Sequence, residues 1–253
     1  MIEVTDTAGA IARVRADEGA LPPGARLFED PYAALFVGGA AAAAAVDLFR
    51  TVPFFRESVR LRTRFIDDAA RRALGDGIRQ IVVPGAGFDC RALRLPEIAA
   101  AGASVFEVDF ATQLETKRTT LAQAGIALPD ALHLVPADFA APGFEAPLSH
   151  ALDAAGFRPD RPALFVWEGV ATYLTDADIS RSLAWMAAAG GPGSRLVLNY
   201  NLSRLEPAGM RARVFAAGFR ALEDEPLAVT FRRYLPGEPP PGADLFRIAV
   251  ATT

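Results

Sequence analysis

The sequence predicts an α/β domain with a mostly parallel sheet, because β-rich runs and helical patterns alternate through the middle of the chain. The runs, between residues 78 and 201, are IRQIVVPGAG, ASVFEVDF, ALHLVPADF, PALFVWEGV and SRLVLNYN. Helical patterns separate most of them, notably over residues 111–124 and 176–189. Strands that alternate with helices pair in parallel, and the helices then cover both faces of the sheet.

Before the first of these strands, residues 1–75 predict a helical cap. Residues 7–19 have the pattern of a short amphipathic helix. A second helix is predicted over residues 30–37, with Asp30 as its cap and a proline in its first turn. We expect this cap to pack on an α/β core that comprises residues 76–253.

The last part of the chain predicts a different kind of pairing. Residues 227–235 (LAVTFRRYL) and 244–250 (DLFRIAV) have strand-like patterns, and the segment PGEPPPGA between them is too short for a crossover helix. We therefore expect an antiparallel hairpin at the edge of the sheet. The prediction for the whole chain is one domain, 1–253, with a seven-stranded sheet that is parallel except at this hairpin.

Composition narrows the classes of function. Of 253 residues, 51% are hydrophobic and 22% are charged, which is typical of a globular domain. The net charge of −4 argues against a nucleic-acid partner, which usually requires a basic surface. The longest charge-free apolar stretch, residues 35–46, is shorter than the about 20 residues that cross a membrane, and residues 1–19 lack the pattern of a signal peptide. We expect a cytoplasmic protein with no membrane partner, and the oligomeric state stays open.

The stretch VVPGAGFDCRALRL, residues 82–95, begins like a nucleotide-binding turn. Gly85 and Gly87 follow an apolar run and allow a ligand to approach the backbone closely. A dinucleotide fingerprint would place a third glycine at position 90, where this chain has Cys90 beside the acidic Asp89. A carboxylate there would repel a pyrophosphate but suits the ammonium group of a methionine moiety. Taken alone, the turn is also compatible with an ordinary strand-to-helix connection.

Asp109 ends the next predicted strand, 22 residues after Gly87. An acid in this place can accept hydrogen bonds from the ribose hydroxyls of a nucleoside. Dinucleotide sites and S-adenosylmethionine sites share this feature. Because the third glycine is missing and Asp89 is acidic, the pattern favours S-adenosylmethionine over NAD.

Several motifs occur together in the order and spacing of a known family. They are RTRFIDDAA, PGAGFDCRALRL, VFEVDFATQLETKR, PADF and VWEGVATYL, and LFEDPYAALFVG near the N-terminus fits the same set. The chain resembles the leucine carboxyl methyltransferase-like family, and more narrowly its bacterial branch of S-adenosylmethionine-dependent O-methyltransferases. The resemblance covers residues 7–200 and implies the class I methyltransferase fold, a Rossmann-like α/β sheet, with S-adenosylmethionine as cofactor. One departure is Pro84, where the family usually has leucine, so the local turn can differ.

The resemblance also implies roles for individual residues. The glycine turn would line the methionine part of the cofactor, and Asp109 would hold the ribose. Asp138 and Phe139 match the pair at the adenine, and Glu168 matches the acid that faces the methionine ammonium. The cofactor-binding residues expected from the sequence are Arg62, Gly85, Gly87, Asp89, Asp109, Phe110, Asp138, Phe139 and Glu168, and no metal site is expected.

The family has an arginine before the first strand that reaches the cofactor carboxylate, and this chain offers both Arg62 and Arg64. At about 100° per residue, Arg62 lies on an apolar stripe that includes Ile66. Arg64 lies on the opposite face with Asp67 and Asp68, where we expect it to be exposed and paired with Asp68. A buried charge needs a partner. A ligand carboxylate would serve for Arg62, and a buried acid of the protein itself is the alternative.

The sequence says less about the methyl acceptor. A carboxylate is nucleophilic at neutral pH, whereas a hydroxyl must first lose its proton. No histidine stands in a motif position, which tilts the prediction toward a carboxylate, and Tyr173 is the candidate catalytic residue near the expected substrate mouth. We therefore predict an O-methyltransferase that acts on a carboxylate or hydroxyl of a small molecule. Two alternatives stay open: a non-catalytic S-adenosylmethionine-binding or regulatory protein, and an NAD-dependent oxidoreductase.

Overall fold

A computed structural model describes residues 4–253, apart from the side chains of residues 4–6, 39–42 and 44, and contains one mixed sheet. Its strands are β1 (Gln80–Pro84), β2 (Ser104–Asp109), β3 (Leu132–Pro136), β4 (Leu164–Trp167), β5 (Arg195–Asn201), β6 (Ala221–Pro226) and β7 (Phe246–Thr252). The spatial order is β3-β2-β1-β4-β5-β7-β6, and β1 to β5 are parallel. Strand β7 pairs antiparallel with both β5 and β6. This arrangement confirms the predicted mostly parallel, seven-stranded α/β fold.

Helices precede the sheet and connect its strands. They are α1 (Val4–Gly19), α2 (Gly39–Thr51), α3 (Phe55–Gly75), α4 (Arg91–Arg94), α5 (Pro96–Ala100), α6 (Ala111–Gln123), α7 (Glu145–Ala154), α8 (Asp176–Ala189), α9 (Pro207–Ala216) and α10 (Leu227–Tyr234). Short 3-10 turns lie at Pro23–Ala25, Ala33–Phe36, Ala171–Tyr173 and Ala243–Leu245. Within residues 4–253, no helix combines the length and the apolar character that crossing a bilayer requires.

Helices bury both faces of the sheet, as alternation along the strands dictates. On β1, Ile81 and Val83 belong to the core that α3 and α10 cover, whereas Val82 belongs to the core under α7, α8 and α9. All residues of β1 and β4 are buried. A strand that is buried on both faces has a continuous apolar sequence, which is why the sequence pattern predicts these strands.

The C-terminal hairpin lies elsewhere than the sequence predicts. Residues 227–235 do not form a strand, because they form the helix α10, and the antiparallel partner of β7 is β6. A strand would bury alternate residues, yet Leu227, Ala228 and Phe231 are buried while Val229 is exposed. Spacing of one, three and four residues is helical. Strand β6 was missed because its sequence, ALEDEP, is acidic and lies at the sheet edge.

The helices before β1 pack over the end of the sheet where the site lies. Helix α1 contacts α2 and α3, and α3 packs on β4 and β5. The predicted helix over residues 30–37 is a single 3-10 turn, Ala33–Phe36. Its N-cap position is Tyr32 rather than the predicted Asp30, although Asp30 Oδ1 accepts a hydrogen bond from the Ala33 N–H at 3.1 Å. Through this packing, α1 lies against the glycine turn that follows β1, where Ala8 contacts Gly87.

Candidate active site

The predicted site residues lie around one cavity. Its volume is about 330 Å³, within the range of small-molecule sites, and it opens beyond the carboxyl ends of β1, β2 and β4. Strands in this fold place their ligands at that edge. The lining includes every residue predicted from the sequence, namely Arg62, Gly85, Gly87, Asp89, Asp109, Phe110, Asp138, Phe139, Glu168 and Tyr173.

The glycine turn can only be built from glycine. Gly85 has φ +70°, and a Cβ on it would come within 2.3 Å of Val170 Cγ2. Gly87 has φ +52° and lies against Ala8 of α1, at 3.5 Å from where its Cβ would be. The Gly85 N–H donates to the Val108 carbonyl at 2.7 Å, so the turn stays anchored to β2 although Pro84 ends β1. The backbone is thus held open toward the cavity.

Asp109 joins the glycine turn to the start of α6. Its Oδ2 accepts a hydrogen bond from the Gly87 N–H at 2.6 Å, and its Oδ1 accepts one from the Phe110 N–H at 2.7 Å. Burial raises the pKa of Asp109, and these two amides oppose that shift. Each carboxylate oxygen has a further lone pair for a ligand. Phe110 beside it is a large apolar side chain that remains 45% exposed, which suits a flat ligand ring.

Asp138 and Phe139 form the far wall of the cavity. Asp138 Oδ1 accepts a hydrogen bond from the Ala140 N–H at 2.8 Å, which fixes the turn after β3. Phe139 is buried and packs edge-on against Phe144, with ring centroids 5.1 Å apart. The pair lies one strand beyond Asp109, and its contact with an adenine stays a prediction.

Glu168, directly after β4, is held by two arginines. Its Oε1 accepts from Arg62 Nε at 2.8 Å, and its Oε2 accepts from Arg91 Nη2 at 2.9 Å. Burial alone would raise the pKa of Glu168, but the charges of Arg91, Arg62 and Arg15 outweigh it and hold the pKa at about 2. Glu168 is therefore a carboxylate at neutral pH.

Arg62 is buried, as the helical phase predicts, with 4% of its surface exposed. Arg64 pairs with Asp68 at 3.0 Å as predicted, but it is half-buried rather than exposed, because it also donates to the Leu27 carbonyl at 2.9 Å and lies over the Tyr234 ring of α10. In the structure Arg62 pairs with a buried acid of the protein, Glu168, which is the alternative that the sequence left open. Among the described residues, its Nη2 has no hydrogen-bond partner. Contact of Arg62 with a cofactor carboxylate therefore stays a prediction. Its buried Nη2 is available to donate to such a carboxylate.

Asp67 does not lie where the sequence predicts. It is 1% exposed, and its carboxylate binds Arg91 Nε at 2.9 Å and Arg94 Nη1 at 2.7 Å. Helical phase assigned Asp67 to the exposed face of Arg64. That assignment is wrong because the segment after β1 packs along this side of α3 and brings Arg91 and Arg94 against it.

A continuous set of buried ion pairs surrounds the cavity, and we name it the arginine–acid cluster. It consists of four guanidinium groups and four carboxylates, Arg15, Arg62, Arg91 and Arg94 with Asp30, Asp67, Asp89 and Glu168. The cluster links α1, α3, α4 and the end of β4, and its charges balance. Sequence reasoning missed Arg15, Arg91 and Arg94. The available signal was two arginines at 91 and 94 directly after the glycine turn, one helical turn apart.

Asp89 belongs to this cluster rather than standing free beside the turn. Its Oδ1 accepts from the Arg91 N–H at 2.7 Å, and its Oδ2 pairs with Arg91 Nη1. Burial would raise the pKa of Asp89, but Arg91, Arg15 and Lys117 lower it to about 2. Asp89 also lines the cavity, where it could contact a ligand ammonium as predicted. That contact stays a prediction, and it would have to form while Asp89 remains paired with Arg91.

A second cavity of about 280 Å³ adjoins the first. The two share a partition formed by Thr7, Ile11, Arg62, Gly169 and Tyr173. Tyr173 is 45% exposed and ends the 3-10 turn after β4, so it borders both cavities as the predicted mouth residue should. Asn199 Oδ1 accepts from the Gly169 N–H at 2.8 Å, which ties the partition to β5.

Two solved structures resemble this fold. A methyltransferase candidate from Thermobifida fusca YX has a TM-score of 0.61 at 21% identity, with 85% of this chain and 89% of that chain covered. A protein of the DUF574 family from Streptomyces avermitilis has a TM-score of 0.63 at 18% identity, with 98% and 97% covered. At these identities the likeness shows the fold alone.

Sequence comparison shows the family. The chain is 36% identical over 204 residues to a candidate S-adenosyl-L-methionine-dependent methyltransferase of Parafrankia sp. (strain EAN1pec), covering 76% of this chain and 61% of the relative. It is 37% identical over 198 residues to one of Frankia alni, covering 77% of this chain and 68% of the relative. The chain thus spans about two thirds of the length of these relatives. A family model described as leucine carboxyl methyltransferase matches residues 8–187, and the chain belongs to that family of S-adenosylmethionine-dependent methyltransferases.

Proposed function

We propose that this protein is an S-adenosylmethionine-dependent O-methyltransferase that acts on a carboxylate or hydroxyl of a small molecule. The observation that carries the proposal is the single cavity that gathers Gly85, Asp109, Asp138 and Glu168 from the ends of four strands. These residues are far apart in sequence, and the resemblance assigns them to the methionine, ribose and adenine parts of one cofactor.

The residues present fit that cofactor. The glycine turn leaves a cradle that a Cβ at Gly85 would fill, and Asp109 offers carboxylate lone pairs where a ribose would lie. Arg62 Nη2 is a buried donor without a partner among the described residues, and a carboxylate would satisfy it. Asp89 and Glu168 are ionised beside the turn, which disfavours a pyrophosphate and accommodates an ammonium group. The site therefore fits S-adenosylmethionine better than NAD.

The protein's own contribution is positioning and the exclusion of water. S-adenosylmethionine, when bound, supplies an activated methyl group on a sulfonium. Arg62 and Glu168 form a buried pair on the partition, and Gly169 is held by Asn199. These contacts fix the partition between the two cavities. In-line methyl transfer requires the donor and the acceptor to be held in rigid alignment, and a fixed partition would help to hold them. Tyr173 lines both cavities, which makes it the candidate to orient an acceptor oxygen.

Titration calorimetry tests the cofactor. We expect S-adenosylmethionine and S-adenosylhomocysteine to bind with micromolar or tighter affinity, and NAD not to bind. Tighter binding of NAD than of S-adenosylhomocysteine would contradict the proposal.

A non-catalytic S-adenosylmethionine-binding protein is the second candidate. The second cavity beside the partition favours an enzyme, because a pure sensor of the cofactor needs no space for an acceptor. Incubation with S-adenosylmethionine carrying a labelled methyl group and a fractionated metabolite extract separates the two. Label in any extractable small molecule supports the enzyme, with alkali-labile label indicating a methyl ester and alkali-stable label a methyl ether. Cofactor binding without transfer to any fraction supports the second candidate.

A further inference from the structure

The first turn of α6 forms part of the wall of the first cavity. Phe110, Thr112 and Gln113 all line it, and Phe110 is the N-cap residue of the helix. Gln113 is the buried one of the three, at 7% exposed. Side chains of an α-helix tilt toward its N-terminus, so the Gln113 carboxamide lies over the turn that starts beside Asp109.

The Gln113 carboxamide carries an unused hydrogen-bond donor. Its Nε2 is buried and has no hydrogen-bond partner among the described residues. Arg15 Nε and Arg62 Nη2, which also belong to the lining, share this property, but each of those side chains takes part in an ion pair. Gln113 is uncharged. A buried donor without a partner costs free energy, and its position in the wall of a ligand cavity indicates that a ligand supplies the acceptor.

The neighbouring acid creates a need for such a donor. A carboxylate accepts hydrogen bonds and cannot donate one. A ribose hydroxyl that donates its proton to Asp109 keeps two lone pairs, and in a buried site these require a donor. The nearby N–H groups of Gly87 and Phe110 are directed at Asp109 itself, at 2.6 and 2.7 Å. Gln113 Nε2 can supply the missing donor.

We propose that Gln113 is a further cofactor-binding residue, and that its side-chain amide donates to the oxygen of a ribose hydroxyl whose proton Asp109 accepts. This inference rests on the proposed function and adds a residue that recognises the ribose of the same cofactor. Asp109 recognises the hydroxyl as a donor, and Gln113 recognises it as an acceptor. A nucleoside without that hydroxyl leaves both side chains unpaired, so binding depends on its presence.

The test combines a side-chain substitution with the removal of single hydroxyls from the ligand. S-adenosylhomocysteine and its 2′-deoxy and 3′-deoxy analogues are titrated by calorimetry, at up to millimolar concentration, into the wild type and Gln113→Met. Methionine is flexible and of similar length, so this substitution removes the amide but keeps the packing. Gln123 is exposed at the other end of α6, and Gln123→Met is the matched control. Gln113→Leu repeats the measurement with a second apolar side chain.

Urea denaturation without ligand separates a binding role from a structural one. Because Gln113 Nε2 has no partner among the described residues, Gln113→Met should unfold at the same urea concentration as the wild type or at a higher one. A midpoint below that of Gln123→Met in both Gln113 variants would show that the amide stabilises the fold, and would overturn the inference.

We expect Gln113→Met to weaken the binding of S-adenosylhomocysteine by about threefold to tenfold, as the loss of one neutral hydrogen bond predicts. One of the two deoxy analogues should bind Gln113→Met and the wild type within about twofold of each other, because it lacks the oxygen that accepts this bond. Gln123→Met should bind all three ligands as the wild type does. An unchanged affinity of Gln113→Met for S-adenosylhomocysteine, or an equal loss with both deoxy analogues, would overturn the inference. Failure of S-adenosylhomocysteine to bind the wild type would instead overturn the proposed function.

Discussion

Arg62 and Glu168 lie 106 residues apart in sequence, and Arg62 Nε donates to Glu168 Oε1 at 2.8 Å. This pair joins α3 of the cap to the end of β4 in the core. Both residues line the first cavity, and Arg62 lines the second cavity as well. This one contact therefore couples the position of the cap to the geometry of the site. Arg62 Nη2 has no hydrogen-bond partner among the described residues, so it can donate to a ligand.

The first prediction separates Arg62 from Arg64. Arg62→Ala should weaken S-adenosylmethionine binding by about tenfold or more, since removing one partner of a desolvated charge pair costs roughly 2–5 kcal/mol. Arg64→Ala should leave binding nearly unchanged, because Arg64 contacts Asp68, the Leu27 carbonyl and Tyr234 and is not among the described residues that line either cavity. Calorimetry on the two variants is the measurement. Similar losses in both, or a larger loss in Arg64→Ala, would remove Arg62 from the cofactor site.

The second prediction concerns Asp109. Asp109→Ala should weaken cofactor binding by roughly 1.5–3 kcal/mol, the range for hydrogen bonds to a charged group. The loss has two sources, the ribose contacts and the anchor of the Gly87 N–H at 2.6 Å. Asp130→Ala, at an exposed position before β3, is the control. An unchanged dissociation constant in a folded Asp109→Ala protein would exclude the ribose role.

Local periodicity predicted some parts of this molecule well and others not at all. It placed Arg62 inward because neighbours on one helix face share one environment. It misplaced Asp67 because that environment is supplied by Arg91 and Arg94, which arrive from another part of the chain. Periodicity predicted a strand over residues 227–235, because a short run of mixed apolar and polar residues fits the two-residue period of a strand as well as the 3.6-residue period of a helix.

Local sequence patterns cannot predict ion pairs between residues of the cap and residues of the core, because the partners are far apart in sequence. The arginine–acid cluster requires five separate segments to meet, and Arg15, Arg91 and Arg94 taken alone look like surface residues. By contrast, Gly85, Asp109 and Glu168 were found because each follows an apolar strand, and parallel strands bring their carboxyl ends to one edge.

The third prediction tests the centre of the cluster. Arg91 binds Asp67, Asp89 and Glu168, so Arg91→Met leaves three buried carboxylates short of a partner. Breaking a buried pair by removing one partner costs about 3–5 kcal/mol, and we expect a loss of at least that size in the free energy of unfolding. Urea denaturation measures it. Arg118→Met, which removes an exposed pair with Glu115, should leave the unfolding midpoint unchanged. Equal stability of the two variants would mean that the cluster does not stabilise the fold.

The fourth prediction is a pH dependence of stability. The pKa of Asp89 is lowered from 3.8 to about 2 and that of Glu168 from 4.5 to about 2, because the surrounding guanidinium groups outweigh burial. Since the folded pKa values lie below the unfolded ones, their contribution is complete above about pH 4.5 and is lost as the pH falls toward 2. Urea midpoints measured across this window should fall, and should fall less steeply in Glu168→Gln. An identical slope in that variant would show that Glu168 is not a source of the effect.

The last prediction concerns a buried lysine beneath the glycine turn. Lys117 of α6 is fully buried, and its Nζ donates to the backbone carbonyl of Asp89 and to Glu107 Oε2. Glu107 lies on β2 two residues before Asp109, on the same face of the strand. The lysine therefore joins α6, the turn and the strand that carries Asp109.

Substitution of one or both partners separates its structural role from its effect on the site. Burial raises the pKa of Glu107 to about 7 even beside Lys117, so in Lys117→Met this acid is a buried, protonated carboxyl without its partner. Because the Asp89 carbonyl also loses its donor, we expect a loss of stability of about 1–3 kcal/mol for each unsatisfied group. The double variant Lys117→Met/Glu107→Leu removes both charges in similar volumes and should recover most of that loss. The Asp89 carbonyl still lacks its donor in the double variant, so we expect S-adenosylhomocysteine to bind several-fold more weakly than to the wild type although stability has returned. Urea denaturation and calorimetry on the same samples make the comparison. A double variant that is no more stable than Lys117→Met would refute the ion-pair account, and one that binds like the wild type would show that Lys117 does not position the turn.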